Sequence, residues 1–206
     1  MTSTQSALID IYLASASPRR REVLERMGVR FEVLSQNADE QLHPDETPEV
    51  FAIRLALEKA RAGLGNRPAK ANAPVLGADT VVVIDDDILG KPADQNDAMA
   101  MLARLSGQTH RVLTGVALVT DGYESTRLSL SSVTLREISE QECVDYWLSQ
   151  EPIGKAGAYA IQGRGGVFVE QLEGSYSGVM GLPMFETDDL LKELGIHYQS
   201  RWPSDQ

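Results

Sequence analysis

The sequence predicts an α/β fold with a mixed central sheet flanked by helices, and three observations carry the prediction. Strand-like and helix-like segments alternate through the first half of the chain. Two long strand-like runs, Thr109 to Thr120 and Tyr123 to Arg136, then meet at Asp121-Gly122, a strong hairpin signal. The third is the apolar run Val75 to Ile84, VLGADTVVVI, which reads as the central strand. Gly77-Ala78-Asp79-Thr80 interrupts that run near its middle. A carboxylate there is costly to bury unpaired, so Asp79 either turns to solvent or belongs to a site.

Residues 1–7 are polar and expected to be loose, and Leu8 to Ala14 forms the first strand. That strand runs into SASPRRREVLERMG, where Ser17 suits a helix cap, Pro18 the first helical position and Gly28 the end. Phe31 to Leu34 is a short strand, followed by the loop Asn37-Ala38-Asp39-Glu40. Thr47-Pro48 opens a long helix to about Gly63, with Phe51, Leu55 and Lys59 on one stripe. A polar connection, 65–73, leads to the central strand, and Asp85-Asp86-Asp87 turns the chain into Ile88-Leu89. Gly90-Lys91-Pro92 halts that return, and Asp94 to Leu105 is a helix. After the long hairpin, Ser139 to Glu142 has capping-box spacing for a helix to Gln150. The glycine-rich KAGAYAIQGRGG then permits close backbone approach to a ligand. Val167 to Leu172 is a strand, Gly174 to Gly181 a loop, and Pro183 opens a last helix that Gly195 ends.

With 206 residues, 42% of them hydrophobic, the chain can bury a core as one domain or as two tightly joined lobes. Thirty acidic against 19 basic residues leave a net charge of −11. That balance argues against non-specific binding to nucleic acid or to an anionic membrane, but not against a small anion in a locally positive pocket. The lone Cys143 forbids an internal disulfide and falls on the apolar side of its helix, where it packs as core. No apolar run approaches the ~18 residues of a membrane span, and no signal-like start precedes the first strand. A cytoplasmic protein is expected.

Chemistry gathers around Asp79. Basic or phosphate-friendly stretches flank it: SASPRRR (15–21), EKA (58–60), GKP (90–92) and GKAGAYAIQG (154–163). Arg19, Arg20 and Arg21 oppose the dipole of their own helix, and such an arrangement calls for a compensating anion; a phosphate at this N-terminus answers it better than a solvated basic turn. Lys59, ending an apolar stripe, either snorkels to solvent or reaches into a site. Glu40 is a loop acid that ligates a metal or is merely solvated, and the residues alone favour the second. The three adjacent turn acids point apart into water rather than forming a metal cluster. Neither GxxxxGK[ST] nor a strand-borne GxGxxG is present, which removes the main support for a kinase or a dinucleotide enzyme.

At LASASPRRREVLERMG the chain resembles the Maf family of nucleotide pyrophosphatases. The likeness continues through EKA, GADT (77–80), GKP, SGQTHRVLTGVAL (106–118), KAGAYAIQG (155–163) and GSYSGVMGLP (174–183), nearly the whole chain and in order. Ala16 stands where many relatives have glycine. The resemblance implies an elongated fold like that of inosine triphosphate pyrophosphatases, a cytoplasmic homodimer, and release of pyrophosphate from nucleoside triphosphates with Mg²⁺ or Mn²⁺. It makes Asp79 the general base, with Glu40 and Asp79 on the metal. Ser15, the following helix N-terminus, Lys59 and Lys91 clamp phosphate oxygens, and Arg20 and Lys155 join the substrate-binding set. A carboxylate among lysines is a weak base unless a metal acidifies the water, so a pure ligand role for Asp79 stays open. Arg19, Thr80 and Gln162 match the subgroup acting on dTTP and UTP, where a second subgroup, acting on 7-methyl-GTP, has Trp, Gln and Glu. The runner-up is a nucleotide-binding regulator of septum formation with slow turnover and an unidentified cell-division partner; a sensor, however, needs no base.

Overall fold

The computed structural model describes residues 9–69 and 71–203. The loose N-terminus expected over residues 1–7, the start of the first strand at Leu8 and the end of the polar tail at 204–206 lie outside the described residues, as does position 70 in the polar connection.

Among the described residues, the eight elements of nine residues or more follow the predicted order, with shorter ones between them. The chain begins β1 (Ile11–Leu13), α1 (Pro18–Met27), β2 (Phe31–Val33) and α2 (Pro48–Gly65), then β3 (Val75–Ile84), β4 (Asp87–Leu89) and α3 (Gln95–Leu105). The long hairpin is β5 (Thr109–Val119) and β6 (Glu124–Leu135), followed by α4 (Glu140–Leu148). The last third holds β7 (Val169–Glu173), α5 (Tyr176–Met180) and α6 (Met184–Glu193), with 3₁₀ turns at Ala156–Ala158, Arg164–Phe168 and Tyr198–Arg201.

The strands form one seven-stranded sheet in the order β2-β1-β3-β5-β6-β7, with β4 attached to β3. β1 runs parallel to β2 and β3, while β3, β4, β5, β6 and β7 pair antiparallel. The mixed sheet inferred from early alternation and a central hairpin is thus the observed one. Its two faces are covered unequally. On one face α2 lays Phe51, Ala52 and Leu55 against Val81, Val83 and Leu113. On the other, α1, α3, α4 and α6 pack a larger core around Leu76, Val82, Val112, Val116 and Leu118. Cys143 is buried within that larger core, as its helical position indicated.

Small residues set how close α2 comes. A Cβ on Gly77 would stand 2.2 Å from the Ala56 carbonyl oxygen, and one on Gly115 would stand 2.3 Å from that of Ala52. The helix therefore rides directly on the backbones of β3 and β5, a contact no larger residue permits.

β3 is continuous, not broken at Asp79. What changes along it is its outer neighbour. β1 pairs with Val75 and Leu76 and then leaves for α1, and β4 joins only at Val82. Between those points this edge of β3 pairs with no strand among the described residues, and the sheet is open where Asp79 and Thr80 lie. Alternation puts Asp79 on the α2 face and Thr80 on the opposite face.

Several local expectations are corrected. Ser17 makes no side-chain cap; Ser15 Oγ accepts the Ser17 N–H instead, at 3.2 Å. α4 stops at Leu148, and Gln150 takes a positive φ of 64° beyond it. Val167 and Phe168 belong to a 3₁₀ turn, so the strand begins at Val169. The stretch read as a loop, 174–181, contains α5, capped by the Ser175 hydroxyl. Pro183 is the N-cap of α6 rather than its first residue. Ala16 does not take a positive φ, so alanine is accommodated where relatives carry glycine.

Candidate active site

The opening beside β3 is the floor of a cleft of about 250 Å³, and all ten residues singled out from sequence line it: Ser15, Arg19, Arg20, Glu40, Lys59, Asp79, Thr80, Lys91, Lys155 and Gln162. They come from six separate parts of the chain, and the gap in the sheet is what lets them converge.

α2 delivers Lys59. Its stem follows the apolar stripe, and its ammonium donates to Asp79 Oδ1 at 2.5 Å and to Glu40 Oε1 at 2.6 Å. Lys59 is 4% exposed and Asp79 8%, so neither turns to solvent. The paired carboxylate explains how an acid sits inside a Val-rich strand. Asp79 Oδ2 has no protein partner among the described residues, and Asp79 lines the cleft.

Glu40 closes the other side. Its second oxygen accepts from Lys91 at 2.7 Å. Burial works against its ionised form, but hydrogen bonds from Lys59 and Lys91 and their charges outweigh it and hold the carboxyl at about 2. The loop bearing Glu40 is tied to α2 by Arg54, which donates to Glu46 at 2.7 Å and to the Gln41 carbonyl at 2.9 Å. Sequence reading passed over Arg54, since nothing in its helix position distinguishes a loop anchor from a solvated arginine.

At the α1 end, Ser15 is buried and its oxygen accepts from Arg20 at 3.0 Å. Arg20 also donates to the Gly181 carbonyl at 2.9 Å, joining the first βα turn to the end of α5. The Ser17 side chain makes no cap bond to α1, leaving the helix N-terminus available to an anion. Burial lowers the Arg20 pKa although Asp79 and Glu40 pull it up. Burial, then the charge of Arg20, lowers that of Arg19. Lys155 is lowered likewise, by burial and then by Arg19. Desolvated cations crowded together in this way favour an incoming anion.

The glycine-rich segment works differently from the reading that its glycines admit a ligand. A Cβ on Gly163 would lie 2.3 Å from Glu151 Oε2, and one on Gly157 would lie 2.9 Å from Val82. The close approach is to the protein itself. Glu151 accepts the backbone N–H of Arg164 and Gly165, each at 3.0 Å, and the Tyr146 hydroxyl at 2.8 Å, fixing the turn that presents Gln162.

Two further residues escaped sequence reading. Tyr159 lines the cleft, and its hydroxyl meets His110 Nε2 at 2.8 Å. Burial pushes His110 down to about 4 and Tyr159 up, so both are neutral. A histidine in an otherwise Val/Leu-rich strand was the available signal. The apolar wall of the cleft is Val82, Val112, Ile161, Val179 and Met180. Asp85, Asp86 and Asp87 lie away from the cleft and pair with Arg104 and Arg111. No described helix is long and apolar enough to cross a membrane.

Comparison with known proteins agrees with this geometry. A chain from Alkalilimnicola ehrlichii named dTTP/UTP pyrophosphatase is 59% identical, covering 93% of this chain and 96% of its own. Proteins of the same name from Hahella chejuensis and Saccharophagus degradans are 53% and 51% identical, covering 90% and 88% of this chain and 92% and 87% of theirs. The model of the family described as Maf-like protein matches residues 10–194, and the chain belongs to that family.

Proposed function

We propose that this protein hydrolyses dTTP and UTP to the nucleoside monophosphate and pyrophosphate in the cleft beside β3. One observation carries the reading: five cationic side chains converge there on two carboxylates, a net positive pocket in a chain of net charge −11. Such a pocket fits a triphosphate. The names of the relatives supply the base identity, and the apolar wall beside Thr80, Arg19 and Gln162 suits a pyrimidine.

In this reading Lys59, Lys91, Ser15 and the N-terminus of α1 hold phosphate oxygens, while Arg20 and Lys155 complete the charge. Asp79 Oδ2 receives the proton of a water whose oxygen forms the new bond to phosphorus, and the bond between the α and β phosphates breaks with the electron pair leaving on pyrophosphate. A divalent cation fits the donor set. Glu40 and Asp79 offer hard oxygen ligands, and no three His, Cys, Asp or Glu side chains converge among the described residues. Two carboxylates completed by water and phosphate oxygens match the habit of Mg²⁺. When bound, such a metal supplies charge neutralisation and a more acidic water. The proposal takes the chain as a single domain, supported by its one continuous sheet. It extends to a cytoplasmic homodimer on the family resemblance, which sedimentation checks.

Pyrophosphate release with Mg²⁺ or Mn²⁺, measured for UTP, dTTP and 7-methyl-GTP side by side, tests the function. UTP and dTTP are expected to exceed 7-methyl-GTP at least about tenfold in kcat/KM. Asp79→Asn, which keeps size and leaves Lys59 paired to Glu40, should lose turnover while melting like the wild type. Equal turnover of 7-methyl-GTP, or an active Asp79→Asn protein, overturns the reading. A slow regulator is not favoured, because a binding site has no use for an acid with a free oxygen at its floor.

A further inference from the structure

Thr80 and Thr114 face each other across β3 and β5, with their oxygens 2.9 Å apart, and Thr114 is 1% exposed. Either hydroxyl could donate to the other if the pair stood alone. It does not: Thr114 Oγ1 also lies 2.8 Å from the Gly178 carbonyl oxygen at α5. A carbonyl only accepts, so the single Thr114 proton goes there. The proton between the threonines must then come from Thr80, and Thr80 is left with lone pairs alone to turn toward the cleft.

We propose that Thr114 is a positioning residue that fixes Thr80 as a hydrogen-bond acceptor, and that this polarity selects a base carrying an imide N–H, uracil or thymine, over cytosine. The proposal rests on the pyrophosphatase reading and deepens it. Thr80 and Thr114 adjoin the cross-strand pair Val82 and Val112, which belongs to the apolar wall of the cleft. A pyrimidine lying against that wall turns its polar edge to the side chains around it. Uracil offers a carbonyl next to N3–H. Cytosine offers an amino group next to an unprotonated N3, the reverse at both positions. Gln162 does not choose between them, since its amide serves either edge after rotation by half a turn. The choice falls to groups that cannot reverse. Arg19 can only donate, and its Nε is buried with no partner among the described residues. Thr80, its proton committed, can only accept. One fixed donor and one fixed acceptor match the uracil edge and oppose the cytosine edge.

The test compares kcat/KM for UTP, CTP and N3-methyl-UTP with the wild type, Thr114→Val and Thr114→Ser. The wild type should prefer UTP to CTP and to N3-methyl-UTP, each at least about tenfold. Thr114→Val removes the hydroxyl that holds the Thr80 proton, so the CTP to UTP ratio should rise about tenfold or more. Thr114→Ser keeps the hydroxyl and should restore the wild-type ratio. A purely structural role would lower both substrates in proportion, and that result overturns the assignment. Should Thr114→Val fail to fold, the wild type decides alone: N3-methyl-UTP hydrolysed as well as UTP overturns it. Absence of UTP turnover in the wild type brings down the underlying function as well, whereas UTP turnover with no discrimination overturns only the hydrogen-bond assignment.

Discussion

Lys59 holds two acids at once, and that makes it the residue whose loss should be felt twice. Removing one member of a buried ion pair leaves the other charge desolvated, at a cost of about 3–5 kcal/mol. Lys59→Met is therefore expected to lose activity and about 3 kcal/mol of unfolding free energy, measured by urea denaturation. Adding Asp79→Asn to it should recover much of the stability and none of the activity; a double mutant no more stable than the single one excludes the unpaired charge as the cause. The sequence left Lys59 between solvent and site because its partner lies 20 residues away on another element. Asp79 had the same ambiguity for the same reason. Motif order resolved the membership of the site, but the bonds within it are three-dimensional facts. The Thr114 relay is of that kind: nothing in a threonine on a strand says where its proton points.

At the scale of elements, the position of Lys59 depends on how closely α2 meets the sheet. Gly115→Ala would set a methyl group 2.3 Å from the Ala52 carbonyl. Helix and strand have to separate, so a loss of about 2 kcal/mol or more is expected, together with a fall in kcat as Lys59 withdraws from Asp79. Thermal melts and steady-state kinetics on the same sample check both; a fall in stability with unaltered kcat shows that the helix shift does not reach Lys59. The existence and order of the longer elements were legible, because periodicity, caps and the Asp121-Gly122 turn each act over a few residues. α5 was not, since five residues give no period to read. The Gly163 to Gly166 run was misread because glycine marks a close approach without naming what approaches; here it is Glu151 and other parts of the protein. The partial pairing along β3, which creates the cleft, has no sequence signature at all.

Across the whole molecule, acid should weaken the fold through His110. The unfolded histidine takes a proton near 6.5, whereas burial delays this in the folded chain to about 4. Between those values the unfolded state binds more protons, so stability rises with pH. The contribution is complete above 6.5 and is lost toward 4, at up to about 1.4 kcal/mol per pH unit. Glu40, held at about 2, acts in the same sense further down: its contribution is present above the ordinary carboxylate range and fades as pH falls toward 2. Urea denaturation at pH 7 and pH 5 should differ by about 1–2 kcal/mol in the wild type and by less in His110→Gln. Identical differences in the two proteins would place the acid sensitivity elsewhere. A broader consequence follows from Asp79 and Thr80 being consecutive on one strand and facing opposite ways. Mutation on the Thr80 face can drift toward a new substrate while the chemistry on the Asp79 face is inherited unchanged. A one-residue insertion upstream in β3 would exchange the two faces and lose both. Substitution is thus open at the Thr80 position, whereas Gly77 is held by its contact with α2 and the length of β3 by its register.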